Sequence, residues 1–412
     1  MLQQLSRATI ASTGKWGRNL SRSAPDLPGV GTTPARDRAH PWRDASPDRA
    51  ATRPRHRELP NALAGLPERP LRLRQLLIFS PGGSQGGAVA AQALQNAEQG
   101  RFSVLLRPRS RTPATGSNLV SCGARVVDVA NHPNAGMPTG PLELDPAETL
   151  VIDPTVVGGL HHTIAQTPLG STVVYLQNGM PSHAAEKAAR GIRAHDMISM
   201  VPASRQPGEG VSVTPGGVML VDANDPLTET LHSVLQGQSF FRLQNVPDIR
   251  VTRYEKVALN CALNVTATLF GKTLGELQEL SARDARCGKL IAGLAGEVCA
   301  LARAMGVPVR PDDQIMGDIH AAMERFSHHP TSMRAAFDAG LETEIEVLNA
   351  GVSREGRRRG VPTPLNDLVS GKLALYEGIR RACGNAGDFH QRHPPLVQRT
   401  VDDLLAAADR LA

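Results

Sequence analysis

The alternation of apolar and polar positions predicts two halves with different secondary structure. In the first half, short apolar runs are separated by polar turns, which is typical of strands joined by crossovers. The run at 76–79 leads through a Gly-rich turn into an Ala-rich helix predicted at 88–99, and a second strand is predicted at 102–106. This order indicates the β-α-β beginning of a doubly wound sheet.

More strands are predicted before residue 250, and helices after it. The strands lie at 124–129, 149–152 and 172–176, and the segment 211–222 is predicted to form a hairpin around a Pro-Gly-Gly turn. Beyond that segment the apolar spacing becomes helical. The predicted helices are 254–270, 283–306, 312–326, 332–359 and 364–381.

These elements predict an α/β fold with two domains, for which the chain is long enough. A Rossmann-like, doubly wound N-terminal domain is predicted at 71–250 and an all-helical C-terminal domain at 251–385. Residues 1–70 are predicted to be a presequence followed by a disordered linker, because the linker is rich in Pro, Arg and Asp and lacks apolar periodicity. Residues 386–412 are treated as a C-terminal tail.

Three polar side chains interrupt the first predicted helix of the second half. Lys256, Asn260 and Asn264 recur at steps of four, which places them on one stripe of a helix. The positions between them are apolar, and a helix that is apolar nearly all round is a buried helix. A buried lysine and two buried amides need partners, because their desolvation otherwise costs several kcal/mol. We therefore expect the stripe to line a cleft and to bind a ligand.

Charge and composition exclude several classes of function. Residues 1–60 hold 11 Lys and Arg against 5 Asp and Glu, and this excess equals the +6 net charge of the whole chain. The remainder is balanced, so no nucleic-acid-binding surface is predicted. There is no apolar run long enough to predict a membrane span. The five scattered cysteines predict neither a disulfide framework nor a zinc site.

The first 25 residues have the composition of a mitochondrial presequence. They contain Arg7, Lys15, Arg18 and Arg22, several Ser and Thr, and no acidic residue. Transit peptides share this composition, and a disordered basic tail is the alternative. We therefore expect a mitochondrial location.

Two features of the first half suit a dinucleotide. Read as G-x-G-x-x-G, the Gly-rich turn runs from Pro81 to Gly86; Gly83 and Gly86 keep the second and third glycines, and proline replaces the first. Free N–H groups at the start of the following helix favour a pyrophosphate. Arg107 follows the second strand, where a basic residue suits the 2′-phosphate of NADP. The alternatives are an ordinary Gly-rich turn and a solvated arginine.

Three further polar residues are candidates by position. Asn178 ends a predicted strand in an Asn-Gly turn; strand ends bind ligands in this fold class, although Asn-Gly also favours tight turns for local reasons. Ser332 is expected to cap a helix. Glu344 follows twelve residues later, on roughly the same predicted face. A surface carboxylate is the alternative for Glu344.

Six short motifs follow one another along the chain. They are Asn-Gly-Met (178–180), Lys-x-x-x-Asn-x-x-x-Asn (256–264), Gly-Glu-Leu (275–277), Ser-Met (332–333), Thr-Glu-Ile-Glu-x-Leu-Asn (343–349) and Gly-Val-Pro-Thr-Pro-Leu-Asn (360–366). This order resembles the ketopantoate reductase (2-dehydropantoate 2-reductase) family from about residue 73 to residue 381. With its leader, the chain is similar to fungal members of that family.

The resemblance implies an NADPH-dependent reduction of 2-dehydropantoate, a small 2-oxo acid, to pantoate in pantothenate synthesis. NADP(H) would bind the domain at 71–250, the domain at 251–385 would carry substrate and catalysis, and a homodimer is a candidate assembly. Lys256 would be the general acid. The resemblance implies substrate binding by Asn260, Asn264 and Ser332, and cofactor binding by Gly83, Gly86, Arg107, Asn178 and Glu344.

The cofactor half departs from the family pattern. Pro81 replaces the first glycine, Thr155 stands where family members commonly have a lysine, and the negative Asp153 is expected to repel phosphates. These departures favour an alternative: a catalytically impaired binding protein, like the translation activators of fungal mitochondria that resemble this family. A third interpretation is structural, with Lys256 paired to Glu344 in a buried bridge, although such a bridge adds little to stability.

Overall fold

The computed structural model describes most of the chain after residue 70. The described residues are 71–79, 84–97, 101–107, 119–138, 142, 144–155, 157–206, 210–384 and 388–411. The leader, Pro81 and Gly83 lie outside these ranges, so the predictions made for them stay predictions.

An eight-stranded sheet forms the first part of the described chain. Its strands are β1 (Gln75–Phe79), β2 (Ser103–Arg107), β5 (Ala135–Gly136), β6 (Thr149–Asp153), β7 (Thr172–Tyr175), β8 (Arg193–Met200), β11 (Val218–Asp222) and β12 (Arg242–Val246). Their spatial order is β12-β11-β8-β7-β6-β1-β2-β5. Within it, the six neighbouring strands β8, β7, β6, β1, β2 and β5 are parallel. The order reverses at β1, and the crevice at the carboxyl ends beside such a switch point is where doubly wound folds bind ligands.

Four helices accompany this sheet in the described ranges, and they connect or follow its strands. They are α1 (Ser84–Ala97), α2 (Val157–Gln166), α3 (Ala184–Ala189) and α4 (Thr228–Leu235). Helix α1 is buried along most of its length against the sheet. Its alanines and glycines allow this close packing because they are small. The Rossmann-like fold class predicted from the sequence is confirmed.

A second sheet of four strands lies beside the first, and it overturns one prediction. Its strands, in spatial order β4-β3-β10-β9, are β3 (Leu119–Cys122), β4 (Arg125–Asp128), β9 (Ala203–Gln206) and β10 (Gly210–Val213). The hairpin predicted at 211–222 is wrong, because β10 pairs with β3 and β9, whereas β11 pairs with β8 and β12. The Pro-Gly-Gly turn carries the chain from one sheet to the other.

After residue 248 the described chain is helical, as predicted. Its helices are α5 (Ile249–Phe270), α6 (Leu274–Arg283), α7 (Ala285–Ala304), α8 (Asp312–Arg325), α9 (Ser332–Asp338), α10 (Asn349–Arg359), α11 (Pro364–Cys383), α12 (Phe389–Arg392) and α13 (Pro394–Leu411). No helix among the described residues is both long enough and apolar enough to cross a membrane.

Helix α5 is the central element of the helical domain. Asp248 caps its start by accepting a hydrogen bond from the backbone N–H of Arg250 at 2.9 Å, and Gly271, with φ +65°, ends it. From Val257 onward its side chains are almost all buried. The helix therefore runs from the edge of the sheet into the core of the second domain, and it carries the Lys-Asn-Asn stripe between the two.

The single helix predicted at 332–359 is two helices. Helix α9 ends before Gly340, which has φ +74°, and the segment Glu344–Glu346 forms a short 3₁₀ turn before α10 begins. Thr343 donates its hydroxyl to Glu377 Oε1 at 2.7 Å, a contact that holds the break in place. Glu344 therefore lies in this turn and not on a continuous helical face with Ser332.

Residues 388–411 pack against the helical domain. The Phe389 ring lies edge-on to Phe337, with ring centroids 5.3 Å apart, and also contacts Tyr376. His390 Nε2 donates to the carbonyl oxygen of Thr268 at 2.7 Å, near the end of α5. The segment treated as a tail therefore covers part of the core.

Candidate active site

The head of Lys256 lies at the carboxyl ends of two parallel strands. Its Nζ donates to Oδ1 of Asn178 at 2.7 Å and to the backbone oxygen of Ser199 at 2.6 Å. Asn178 follows β7, and Ser199 is near the end of β8. An ammonium group has three donors, so one N–H is left to reach an oxygen in the crevice. This position is where a doubly wound fold binds ligands.

Burial lowers the pKa of Lys256 to about 8, with nearby Arg253 acting in the same direction and Glu344 opposing them. Burial also raises the pKa of Glu344, against the effects of Asn178 and Lys256. A lysine with this pKa exchanges its proton near neutral pH, as a general acid must.

Asn178 lies between Lys256 and Glu344. Its Nδ2 donates to the two carboxylate oxygens of Glu344 at 3.2 and 3.3 Å, while its Oδ1 accepts from Lys256. The direct Lys256–Glu344 bridge of the structural interpretation is not formed among the described residues. The Asn178 amide instead joins Lys256 to Glu344. These three side chains, which come from distant parts of the sequence, form one hydrogen-bonded chain.

The turn that carries Asn178 is docked onto the 3₁₀ turn of the helical domain. The N–H of Met180 donates to the carbonyl oxygen of Val347 at 2.7 Å. Gly179 has φ +86°, and a Cβ built on it would lie 2.3 Å from the same oxygen. Only glycine fits this approach, since a side chain would meet backbone and not a movable group.

Arg253 clamps the same turn from helix α5. Its Nη1 donates to the carbonyl oxygens of Gln177 and Gly179 at 3.1 and 3.3 Å, and its Nη2 lies 2.7 Å from Asp196 Oδ1. This buried arginine lies one helical turn before Lys256. The sequence analysis did not single out Arg253, although an arginine one turn before the polar stripe was a usable signal.

Asn260 and Asn264 are buried but keep free hydrogen-bonding capacity. They are 9% and 7% exposed, and neither side-chain amide bonds to another residue in the part of the chain that the structure describes. An amide can donate and accept, and leaving it unpaired in a buried place is costly. These two amides therefore have the character expected of ligand-binding groups.

A cavity of about 480 Å³ adjoins the stripe. Its lining includes Lys256 and Asn260 but not Asn264. The remaining lining residues are mostly apolar: Met200, Leu220, Pro247, Asp248, Val251, Thr252, Glu255, Leu259, Pro308 and Arg310.

Ser332 is not the helix cap that the sequence suggested. Thr331 caps α9 by accepting from the N–H of Arg334 at 3.3 Å, and Ser332 is the first helical residue and is exposed. No described hydrogen bond joins Ser332 to Lys256, Asn260 or Asn264. Its role in binding substrate stays a prediction.

The start of α1 is tied to the strand end that holds Lys256. The hydroxyl of Ser199 donates to Gln85 Oε1 at 2.5 Å, and Gln85 Nε2 donates to the carbonyl oxygen of Val201 at 3.0 Å. Gly86, in the next position of α1, is buried. The helix N-terminus predicted to receive a pyrophosphate is therefore next to the candidate catalytic lysine. Nothing in the sequence linked Gln85 to Ser199.

Arg107 lies at the end of β2, on the other side of the switch strand. Its Nε donates to Gln166 Oε1 and its Nη1 to the carbonyl oxygen of Pro138, both at 3.0 Å. Arg107 therefore places a guanidinium at the strand end where a ribose or its phosphate binds in this fold class.

The repulsion expected from Asp153 is not supported. This side chain is 1% exposed, accepts from the hydroxyl of Thr163 at 2.6 Å and from the N–H of Thr155 at 2.9 Å, and burial raises its pKa. Asp153 therefore ties α2 to the end of β6, and its carboxyl group is closed off from solvent. Thr155 is buried as well.

Two asparagines of the later motifs are structural. Asn349 Nδ2 donates to the carbonyl oxygen of Cys261 at 3.0 Å and to Asn366 Oδ1 at 2.9 Å. Asn366 Nδ2 in turn donates to Glu297 Oε2 at 2.8 Å. This buried network fixes the middle of α5, and hence the stripe, against helices α7, α10 and α11.

A doubly wound sheet, a helical second domain and a lysine placed between them characterise the class of two-domain, Rossmann-type oxidoreductases. Residues 248–377 match the family model described as the C-terminal domain of ketopantoate reductase PanE/ApbA. The helical domain of this chain is therefore similar to the C-terminal domain of ketopantoate reductases.

One curated relative and several solved structures are similar to this chain. Over 171 residues the chain is 23% identical to the 2-dehydropantoate 2-reductase of Yersinia pestis, a match that covers 40% of this chain and 52% of that protein. The matched part thus spans about half the length of that relative.

The solved structures show the fold. A ketopantoate reductase from Ralstonia eutropha has a TM-score of 0.58 at 19% identity, with 74% of this chain and 99% of that chain covered. The 2-dehydropantoate 2-reductase of Methylococcus capsulatus has a TM-score of 0.59 at 21% identity, with 74% and 97% covered. A D-mandelate dehydrogenase in complex with NADH has a TM-score of 0.59 at 18% identity, with 74% and 99% covered.

Proposed function

We propose that this chain reduces the ketone of 2-dehydropantoate, or of a similar 2-oxo acid, to the corresponding alcohol with NADPH. The observation that carries the proposal is the position of the Lys256 ammonium. It lies at the strand ends, has one N–H left, and has a pKa lowered to about 8. A group of this kind can protonate an alkoxide as it forms, and its charge stabilises the developing oxyanion.

The described residues fit a nicotinamide dinucleotide. Gly86 and the first turn of α1 would hold the pyrophosphate, and Arg107 favours the 2′-phosphate of NADPH over the bare ribose of NADH. When bound, the reduced nicotinamide supplies the hydride. Neighbouring structures include a protein solved with NADH, so the choice of NADPH rests on Arg107 alone.

The other polar residues position the reacting groups. Asn260 and Asn264 offer buried amides to the carboxylate and hydroxyl oxygens of the acid. Asn178 and Glu344 hold the lysine head toward the crevice. Lys256 gives its proton to the ketone oxygen and regains one from solvent before the next turnover.

The direct test is a titration of the full chain with NADPH followed by a turnover assay. We expect saturable NADPH binding, and a loss of absorbance at about 340 nm that requires 2-dehydropantoate. Lys256→Ala should lower kcat by about 10²–10⁴-fold, the usual contribution of a general acid. Lys289→Ala, which removes an exposed lysine paired with Asp409, is the matched control.

A binding protein without catalysis is the second candidate function. Two sequence departures favour it: Pro81 in the Gly-rich turn, and Thr155, which is buried and brings no cation to the crevice. In this case the protein would bind a partner in mitochondria without catalysing a reaction, with a role such as translation activation. Absence of NADPH binding in the titration would favour this function over the reductase.

We also propose a mitochondrial location, on the basis of the basic, acid-free leader. A homodimer is the proposed assembly, since one structural neighbour is described as a dimeric ketopantoate reductase from Staphylococcus aureus. Light scattering on the purified chain measures this assembly directly.

A further inference from the structure

The wall of the cavity beside Lys256 combines a few polar residues with a larger number of apolar ones. Lys256, Asn260 and Thr252 supply the hydrogen-bonding groups that still have capacity. Most of the remaining wall consists of Met200, Leu220, Pro247, Val251, Leu259 and Pro308. A ligand that fills this cavity needs an oxygen-bearing head and an apolar body.

The charged residues of the wall are already paired with one another. Arg310 contacts both carboxylate oxygens of Glu255, at 2.9 and 3.0 Å from Nε, and Asp318 Oδ2 at 2.6 Å. Asp248 accepts from the backbone and side chain of Arg250. Apart from Lys256, the charged residues of the wall therefore offer no unpaired charge to a second polar group of a ligand.

The size of the cavity also constrains the ligand. Pockets of roughly 300–1,000 Å³ hold drug-sized ligands, and a compact six-carbon acid would leave much of this 480 Å³ cavity unfilled. Filling an apolar pocket is favourable because it removes the apolar groups of the ligand from water. A longer apolar substituent would therefore improve binding.

We infer that this cavity binds the side chain of a 2-oxo acid with a bulky apolar substituent, and that such acids are the preferred substrate class. The inference rests on the proposed reductase function. In the reaction, the ketone carbon gains a hydride from NADPH and the ketone oxygen gains the proton of Lys256. The products are the 2-hydroxy acid and NADP⁺.

The test compares 4-phenyl-2-oxobutanoate with pyruvate, which shares the reacting group but lacks the apolar body. We expect kcat/KM of the wild type to be higher for the phenyl acid by at least about tenfold. Val251→Trp fills the cavity from α5 and should lower the phenyl-to-pyruvate ratio of kcat/KM by about tenfold or more. Thr252→Trp fills it from the neighbouring position and guards against a folding defect in one variant.

Leu375→Trp is the matched control, because Leu375 is 48% exposed on α11 and outside the cavity wall. It should leave the ratio of kcat/KM unchanged. Calorimetric binding of 4-phenyl-2-oxobutanoate to the same proteins gives a second measurement that does not need turnover.

The outcomes separate the two proposals. Turnover with a ratio that neither tryptophan variant changes would overturn the cavity assignment and leave the reductase in place. Binding of the phenyl acid that Val251→Trp abolishes, without turnover, would uphold the cavity and reject the reductase. Neither binding nor turnover of the phenyl acid would overturn the cavity assignment.

Discussion

Lys256 combines two properties that are costly to combine, a buried position and a positive charge. Desolvation of an ammonium is offset here by two short hydrogen bonds to Asn178 and to the backbone of Ser199. The balance leaves its pKa at about 8, below the ordinary 10.5. The side chain is thus held in place and yet able to release its proton near neutral pH.

This pKa predicts the pH dependence of the reduction. The acid form of Lys256 is required, so kcat should be constant well below pH 8 and fall about tenfold per pH unit above it. The sign follows from the lysine losing its proton as pH rises. Measuring kcat from pH 6 to 10 at saturating substrate tests the prediction.

Lys256→Ala serves as the control for this pH profile, since its residual activity should lack the fall above pH 8. A wild-type rate that stays constant up to about pH 10 would show that another group donates the proton.

At this scale the sequence predicted positions better than contacts. Steps of four placed Lys256, Asn260 and Asn264 on one buried stripe, and the structure has them on α5. The bond from Lys256 to Asn178 crosses 78 positions and depends on the tertiary fold. The burial of Asp153 could not be predicted either, because its partner Thr163 lies on the following helix.

Among elements, the Asn178-Gly179-Met180 turn has a strict steric requirement. It joins the strand end to the helical domain through the Met180–Val347 backbone bond, and it carries the amide that holds Lys256. Its geometry depends on glycine at one position.

Gly179→Ala should therefore impair both stability and turnover. The alanine methyl group would lie 2.3 Å from the Val347 carbonyl oxygen, and the alanine backbone would have to adopt φ +86°. Strain of this kind costs about 1–3 kcal/mol, and displacement of Asn178 should lower kcat. Urea unfolding and steady-state kinetics measure the two effects.

Gly170→Ala is the matched control for this change. Gly170 has a similar φ of +73°, but a Cβ there would meet nothing within 4 Å. It should lower the free energy of unfolding by about 1 kcal/mol and leave kcat unchanged. Equal effects of the two substitutions would mean that the contact with Val347 is unimportant.

The predicted helices of the second half were largely confirmed because their apolar spacing is regular. The break between α9 and α10 was missed, since only Gly340 signals it locally and its support comes from Glu377 on another helix. Helix α6 was also missed, although Thr273 and Glu276 form a capping box at its start. Local signals predict where helices occur, whereas long-range contacts decide where they stop.

For the whole molecule, the order of strands and helices was enough to predict a doubly wound domain followed by a helical one. The second, four-stranded sheet was not predicted, because its strands come from two segments far apart in the chain. The packing of residues 388–411 onto the core was also not evident, since a short amphipathic helix can dock on many surfaces.

The charge distribution along the chain predicts its location in the cell. Residues 1–60 carry the whole +6 net charge. A fluorescent protein fused after residues 1–70 should accumulate in mitochondria, and Arg7, Arg18 and Arg22 changed to Gln should abolish this, because import needs a basic amphipathic leader. Fluorescence microscopy against a mitochondrial dye measures it.

The control fusion changes three arginines of the linker, Arg36, Arg38 and Arg43, to Gln, with an equal loss of charge. It should still reach mitochondria. A wild-type fusion that remains throughout the cytosol would contradict the proposed location.

Ser199 contributes to the site with two chemically separate atoms. Its hydroxyl meets Gln85, and its main-chain oxygen meets the ammonium of Lys256. Any amino acid at position 199 supplies that oxygen. One of the two acceptors of Lys256 therefore depends on the path of the backbone and not on the identity of the residue. Substituting alanine there would remove one of the two hydrogen bonds to Gln85 and leave the main-chain acceptor of Lys256 intact. A search for residue motifs cannot detect that acceptor.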